Sequence, residues 1–191
     1  YVGLPEWPPL RCFGYAWSFS TIWPAIFETG DLVAGIRDRT GAETRVASRP
    51  EPTGPLAWSS VAAGTLMVIV PFVYPSPYLA APVFLGFAFL LDPLNARAGA
   101  ESILGDARRR RYSRLINLAI AGSICGILWE FWNYWARAKW IYTVPILPGL
   151  RIFEMPVLGY GGFPAFAIEC FTMYVAVRRW VWQGPVRPLS I

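Results

Sequence analysis

Gly126-Ile127-Leu128-Trp129-Glu130-Phe131-Trp132-Asn133-Tyr134-Trp135 closes an apolar run that begins at Arg114 and gives way to Arg137 and Lys139. About 20 apolar residues are enough for a helix to cross a bilayer, and Arg114–Trp135 reaches that length. A glutamate and an asparagine among tryptophans at the end of such a run need a partner or a task, because charge and polarity are costly there. The stretch therefore sets both the fold class, an all-α polytopic membrane protein, and the place to look for chemistry.

Composition agrees. Of 191 residues, 55% are hydrophobic, 16% aromatic and 15% charged, more apolar and less charged than a soluble domain. The chain has no histidine, which excludes a cofactor bound through His (haem, chlorophyll or zinc) and a His general base. Cys12, Cys125 and Cys170 lie far apart and read as small packing residues rather than a disulfide framework or metal set. The net charge of +5 comes from arginine clusters between apolar segments, the pattern that marks cytoplasmic loops; it does not point to nucleic acid.

Outward from that stretch, the fourth span Arg114–Trp135 is followed by a loop, Ala136–Met155, and a fifth span, Pro156–Val177, ending at Arg178-Arg179. Upstream, loop 92–113 carries Arg97 and the run Arg108-Arg109-Arg110-Arg111, which places it in the cytoplasm of a bacterial-type inner membrane. Before it, Leu56–Tyr74 and Tyr78–Leu91 form a membrane hairpin joined by Pro75-Ser76-Pro77, its second arm ending at Asp92-Pro93. Residues 37–55 are a polar loop. The first apolar segment, Gly14–Ile36, is interrupted by Pro24 and carries Glu28 and Asp31, so a kinked or re-entrant span is expected. Five crossings result.

Shifted by 140 residues, Pro5, Pro8, Leu10, Arg11, Phe13, Pro24 and Ala25 fall on Pro145, Pro148, Leu150, Arg151, Phe153, Pro164 and Ala165. A direct internal repeat is expected, with 1–36 the end of a first copy, 37–113 a connecting region containing hairpin 56–91, 114–179 the core of the second copy and 180–191 a tail. On that reading a further portion precedes Tyr1.

On a helix, Ala119, Gly122, Gly126, Glu130, Asn133 and Arg137 recur every three or four residues and share one face. Gly122 and Gly126 allow close helix approach, and Gly162, Ala165, Glu169, Thr172 and Ala176 form the matching face expected on the fifth span. Glu130 is expected beside Arg137 and Glu169 deeper; Trp129, Trp132 and Trp135 point to lipid or a partner. The structural reading of Glu130-Asn133-Arg137 is an interhelical polar cluster that fixes packing. For Glu154 it is an acid in the first turn of a helix that starts near Pro156.

The order Glu130-x-x-Asn133, Trp140-x-Tyr142 and Phe153-Glu154-Met155-Pro156 resembles the carotenoid-modifying membrane proteins of the lycopene-cyclase-domain and bisanhydrobacterioruberin-hydratase type, over about 45 residues. The cyclase type has paired acids where Glu154 stands alone. The resemblance implies acid chemistry on polyene double bonds without histidine.

Two main functional readings follow. The first is a non-catalytic accessory subunit of a larger photosynthetic or respiratory membrane assembly, with the lipid bilayer and other membrane subunits as partners. The alternative is an enzyme acting on an isoprenoid, with Glu169 or Glu154 as the acid, Glu130 as a base or stabiliser and Trp140 and Tyr142 as an aromatic wall; a transporter is third. Ligands compatible with these readings are lipid, quinone or carotenoid.

Overall fold

The computed structural model describes residues 3, 6–37, 54–143, 149–181 and 191. Most of the polar loop, part of the link after the fourth span and most of the tail lie outside the described residues. The chain is a helical integral membrane protein: Pro55–Val73, Pro77–Arg97, Ser113–Trp135 and Val157–Arg179 are each long and apolar enough to cross a bilayer.

The first expected crossing takes a different form. It is divided into α1 (Pro8–Ser20) and α2 (Ile22–Arg37), and the break falls at Thr21 rather than at Pro24. The Ser20 and Thr21 hydroxyls donate back to the carbonyls of Trp17 and Ser18 at 2.9 and 3.0 Å, while Pro24 sits in the first turn of α2, where a missing N–H is harmless. With 13 and 16 residues, neither arm alone reaches the length of about 20 that a crossing needs.

The hairpin is α3 (Pro55–Val73) and α4 (Ala80–Arg97). Its tightest point is Gly64, where a β-carbon would stand 2.4 Å from the Leu90 nitrogen and 2.7 Å from the Gly86 oxygen; the two backbones touch there. Contrary to expectation, α4 does not stop at Asp92-Pro93. Pro93 has no N–H for the Phe89 carbonyl four residues back, and Ser60 Oγ of α3 donates to that carbonyl instead, at 2.9 Å. The helix therefore continues to Arg97.

Asp92 has a structural task. Its carboxylate accepts from Ser102 Oγ at 2.8 Å and from the Ile103 and Leu104 amides at 2.8 and 2.7 Å. Ser102 in turn accepts from Gly105 N at 3.0 Å. Together they cap the short helix α5 (Ile103–Arg108), satisfying donors that a helix start leaves open. Asp92→Ala is expected to lower stability by about 1–3 kcal/mol, since it leaves the buried Ser102 hydroxyl and the half-buried Ile103 and Leu104 amides without their acceptor; thermal unfolding in micelles, with Ser102→Ala as the milder comparison, measures it.

Helix α6 (Ser113–Trp135) lies between α2 and α7 (Gly162–Val181) and packs against both. The core is Ile26 of α2, Leu118 of α6 and Ala167, Cys170, Phe171 and Val175 of α7, joined by Ile191. Between α6 and α7 the chain forms a two-stranded antiparallel hairpin, β1 (Arg151–Ile152) and β2 (Met155–Pro156), then a 3₁₀ turn at Val157–Gly161. At the opposite end, Arg178 Nη2 grips both Glu101 oxygens at 2.6 Å. There too Arg114 pairs with Asp106, Arg37 donates to Asn117 and Arg97 stands over the Trp58 ring. This is the basic end of the molecule.

Under the 140-residue shift, the start of α2 coincides with the start of α7. The segments before them differ, helical at Pro8–Ser20 but hairpin and 3₁₀ turn at the equivalent positions. Likeness in local structure is thus confined to α2 and α7.

Candidate functional site

The site forms where α6 ends. Asn133 turns its side-chain amide to the departing chain: Nδ2 donates to the Trp140 carbonyl at 2.9 Å and Oδ1 accepts from the Trp140 amide at 2.7 Å. One side chain thereby satisfies both backbone groups of Trp140 and bends 136–142 back along the helix. That return brings Tyr142 over Glu130. The phenol donates to Glu130 Oε1, and Trp129 lies beside the same phenol.

Glu130 is 0% exposed, and its Oε2 has no hydrogen-bond partner among the described residues. Most buried polar atoms are paired, so a buried carboxylate oxygen left open calls for an explanation. Glu130 does not lie against Arg137, as helical spacing implies. Helix α6 ends at Trp135, the periodicity stops with it, and Arg137 is exposed in the following turn.

Burial above all, and then the hydrogen bond to the Glu130 carboxylate, raise the Tyr142 pKa. A proton held more tightly in the folded state stabilises fully below the unfolded value, about 10, and that stabilisation is lost as pH rises beyond it. Tyr142→Phe is therefore expected to unfold with a shallower alkaline decline than the natural protein above about pH 10. Unfolding midpoints followed across that window in micelles test this; equally steep declines refute it.

Glu154 is not in a first helical turn. Met155-Pro156 pairs with Arg151-Ile152 as a strand, and the Val157 amide donates to Leu150 O at 3.0 Å, so Glu154 occupies the hairpin turn beside Phe153, whose φ is +55°. Lys139 Nζ meets Glu154 Oε1 at 2.5 Å and stands over the Tyr134 ring at 5.3 Å. The Phe153 ring packs on Phe131 and Tyr134, with centroids 5.9 and 5.6 Å apart. The hairpin is thus fastened over the end of α6, with Glu154 in electrostatic range of Glu130.

Gly122 and Gly126 do meet α7. A β-carbon on Gly122 would lie 2.5 Å from the Phe163 oxygen, and one on Gly126 2.1 Å from the Phe163 ring. The opposing face, however, is Phe163, Ala167 and Phe171 rather than the expected Gly162, Ala165, Glu169, Thr172 and Ala176. The space that the two glycines leave is filled by Phe163, which rotates the smaller residues away. Glu169 instead lies beside Phe87 of α4. Beside it, Asn95 Nδ2 donates to the Thr172 carbonyl at 3.0 Å, so this α7 face serves α4. Tyr160 is in electrostatic range of Glu130, and Glu169 lies about 14 Å further along the chain at helical rise. Glu169 and Glu130 do not share a site.

Trp140 packs edge-on against Phe19, centroids 6.5 Å apart. From Phe19 an apolar groove of about 600 Å³ runs between α1, α2 and α7, lined by Phe19, Ser20, Trp23, Pro24, Phe27 and Tyr174. Sequence reasoning missed it, although an aromatic at every fourth position (19, 23 and 27) is a readable signal. Trp132 and Trp135 are exposed, as expected; Trp129 turns to Tyr142 instead. No group of three or more His, Cys, Asp or Glu able to hold a metal ion occurs among the described residues.

Compared with protein-family models, curated proteins and solved structures, the chain finds no match.

Proposed function

We propose that Glu130 and Tyr142 are the reactive centre of a membrane enzyme performing carboxylic-acid chemistry on an isoprenoid polyene. The observation that carries this reading is the open Oε2 of Glu130, a buried oxygen with no hydrogen-bond partner among the described residues, on a helix end whose returning Trp140 packs against Phe19 at the edge of an aromatic groove. A proton delivered from Oε2 to one carbon of a double bond leaves a cation on the other carbon. The Trp129, Tyr142 and Trp140 rings provide faces for that cation. The carboxylate so formed keeps the Tyr142 hydroxyl as donor, and it can take a proton back from a carbon next to the cation, which completes an isomerisation or a ring closure without a net change in protons. The groove from Phe19 to Tyr174 suits the apolar remainder of such a substrate. The resemblance carried by Glu130-x-x-Asn133, Trp140-x-Tyr142 and Phe153-Glu154-Met155-Pro156 supports the same class, and the arginine clusters favour a cytoplasmic basic end. Incubation of the reconstituted protein with an acyclic polyene, followed by product separation, tests the reading; unchanged polyene in every lipid and pH condition counts against it.

A second reading has one observation of its own. Helix α3 packs chiefly on α4 and leaves Leu66, Ile69 and Phe72 uncovered, a face that another subunit could occupy in a larger membrane assembly. Gentle extraction and native mass measurement distinguish the two, since an assembly yields a particle well above 21.4 kDa with other defined subunits.

A further inference from the structure

The basic end carries nine described arginines, at 37, 97, 108, 109, 110, 111, 114, 178 and 179, against three described acids, Asp92, Glu101 and Asp106. All three acids are occupied: Asp92 caps α5, Glu101 holds Arg178 and Asp106 holds Arg114. The surplus of positive charge is concentrated where α5 turns into α6. There the Arg110 amide donates to Ala107 O at 2.9 Å and the Arg111 amide to Asp106 O at 2.9 Å, a helix-ending turn whose left-handed position is usually glycine or asparagine. This chain has Arg110 there, at φ +56°, and the side chain is exposed. A residue kept in an unfavourable backbone conformation directs attention to what its side chain does.

The turn leads into the Ser113–Trp135 span, and the Pro77–Arg97 and Val157–Arg179 spans end at the same basic end, where Arg178 holds Glu101; Tyr112 and Arg179 are exposed there, at the level where spans leave the bilayer. We propose that the Arg108–Arg111 turn is a binding site for the phosphate of acidic phospholipids, with Arg110 as its central donor, Arg111 as a second and Arg179 adding charge at the same end of the molecule. The partner is a lipid surface because the charge lies in the plane where the spans leave the bilayer, and basic residues there are attracted by anionic headgroups.

Arg110→Gly separates charge from fold, since glycine relaxes the turn while removing the guanidinium. The experiment compares thermal unfolding in nanodiscs of phosphatidylcholine alone and with phosphatidylglycerol. The natural protein is expected to gain several degrees with the acidic lipid, on the order expected for a ligand that binds the folded state, and to lose the gain in high salt. Arg110→Gly should match or exceed it in neutral lipid yet keep less than half of the gain, while Arg110→Lys keeps most of it. Arg111→Gln provides an independent reading and should also lose part of the gain. No gain in the natural protein, an undiminished gain in Arg110→Gly, or an equal gain from millimolar inorganic phosphate in neutral discs overturns the proposal; the last would make it a site for free phosphate.

Discussion

In membranes carrying Glu130→Gln, conversion of the polyene is expected to fall by about 100-fold or more, the usual contribution of a positioned general acid, with the amount of folded protein little changed. Glutamine preserves shape, and its carbonyl can still accept from Tyr142, so the aromatic packing around the site has no reason to move. What disappears is the proton that the proposal assigns to Oε2, the oxygen without a hydrogen-bond partner among the described residues. Glu169→Gln serves as the contrast: that carboxylate lies further along α7 on the face that serves α4, away from Glu130, so turnover should remain within a few-fold of the natural protein. Product analysis together with quantified folded protein decides. Equal losses in both variants would return Glu169 to the chemistry, and an active Glu130→Gln would end the enzymatic proposal.

The largest effect on stability is expected at Gly64→Ala. Each of the nearest atoms to the added methyl is backbone, the Leu90 nitrogen, the Gly86 oxygen and the Phe89 carbonyl carbon, all under 3 Å. No rotamer change relieves that clash, so α3 and α4 must separate, at a cost of about 1–3 kcal/mol or more. Gly86→Ala should cost less, because its closest neighbour is a methyl of the Val68 side chain. Gly35→Ala meets no atom within 4 Å and should be neutral or stabilising by up to about 1 kcal/mol, the helix preference for alanine. Unfolding titrations in mixed micelles rank the three; a Gly64→Ala protein as stable as Gly35→Ala would mean that the helices do not touch backbone to backbone.

These cases also mark what could be read from the residues. Helices α3, α6 and α7 are legible because a long, predominantly apolar run has few alternatives in a membrane, and Gly122 and Gly126 identify the packing face of α6 because a missing side chain is visible in sequence. Rotation is not visible. On α7 the small residues and the Phe163–Ala167–Phe171 face lie one or two positions apart, and only the volume to be filled opposite the glycines decides between them. The partner of Glu130 was hidden for another reason. Spacing carried the helix on to Arg137, whereas the chain leaves it at Trp135, and the decisive contact is made by Asn133 with backbone atoms that have no identity in the sequence. Tyr142 was singled out through its motif as part of an aromatic wall; its hydrogen bond to Glu130 depends on that bend. Asp92 looked like a stop because Asp-Pro often is one, and its role emerged only with the amides of Ile103 and Leu104 beside it.

The spacing of contacts along the chain has a consequence for biosynthesis. The hairpin closes on itself early: Ser60 meets a carbonyl 29 residues downstream, so α3 and α4 can enter the bilayer as a finished pair. Helix α2 has no such neighbour at hand. Its contacts with Cys125 span 96 and 100 residues, and at about 5–20 residues per second of translation it waits roughly 5 to 20 s for α6 to emerge. During that interval its companion is lipid or an insertion factor, and a helix of 16 residues bearing Glu28 and Asp31 can rest near the headgroups until α6 arrives to draw it inward.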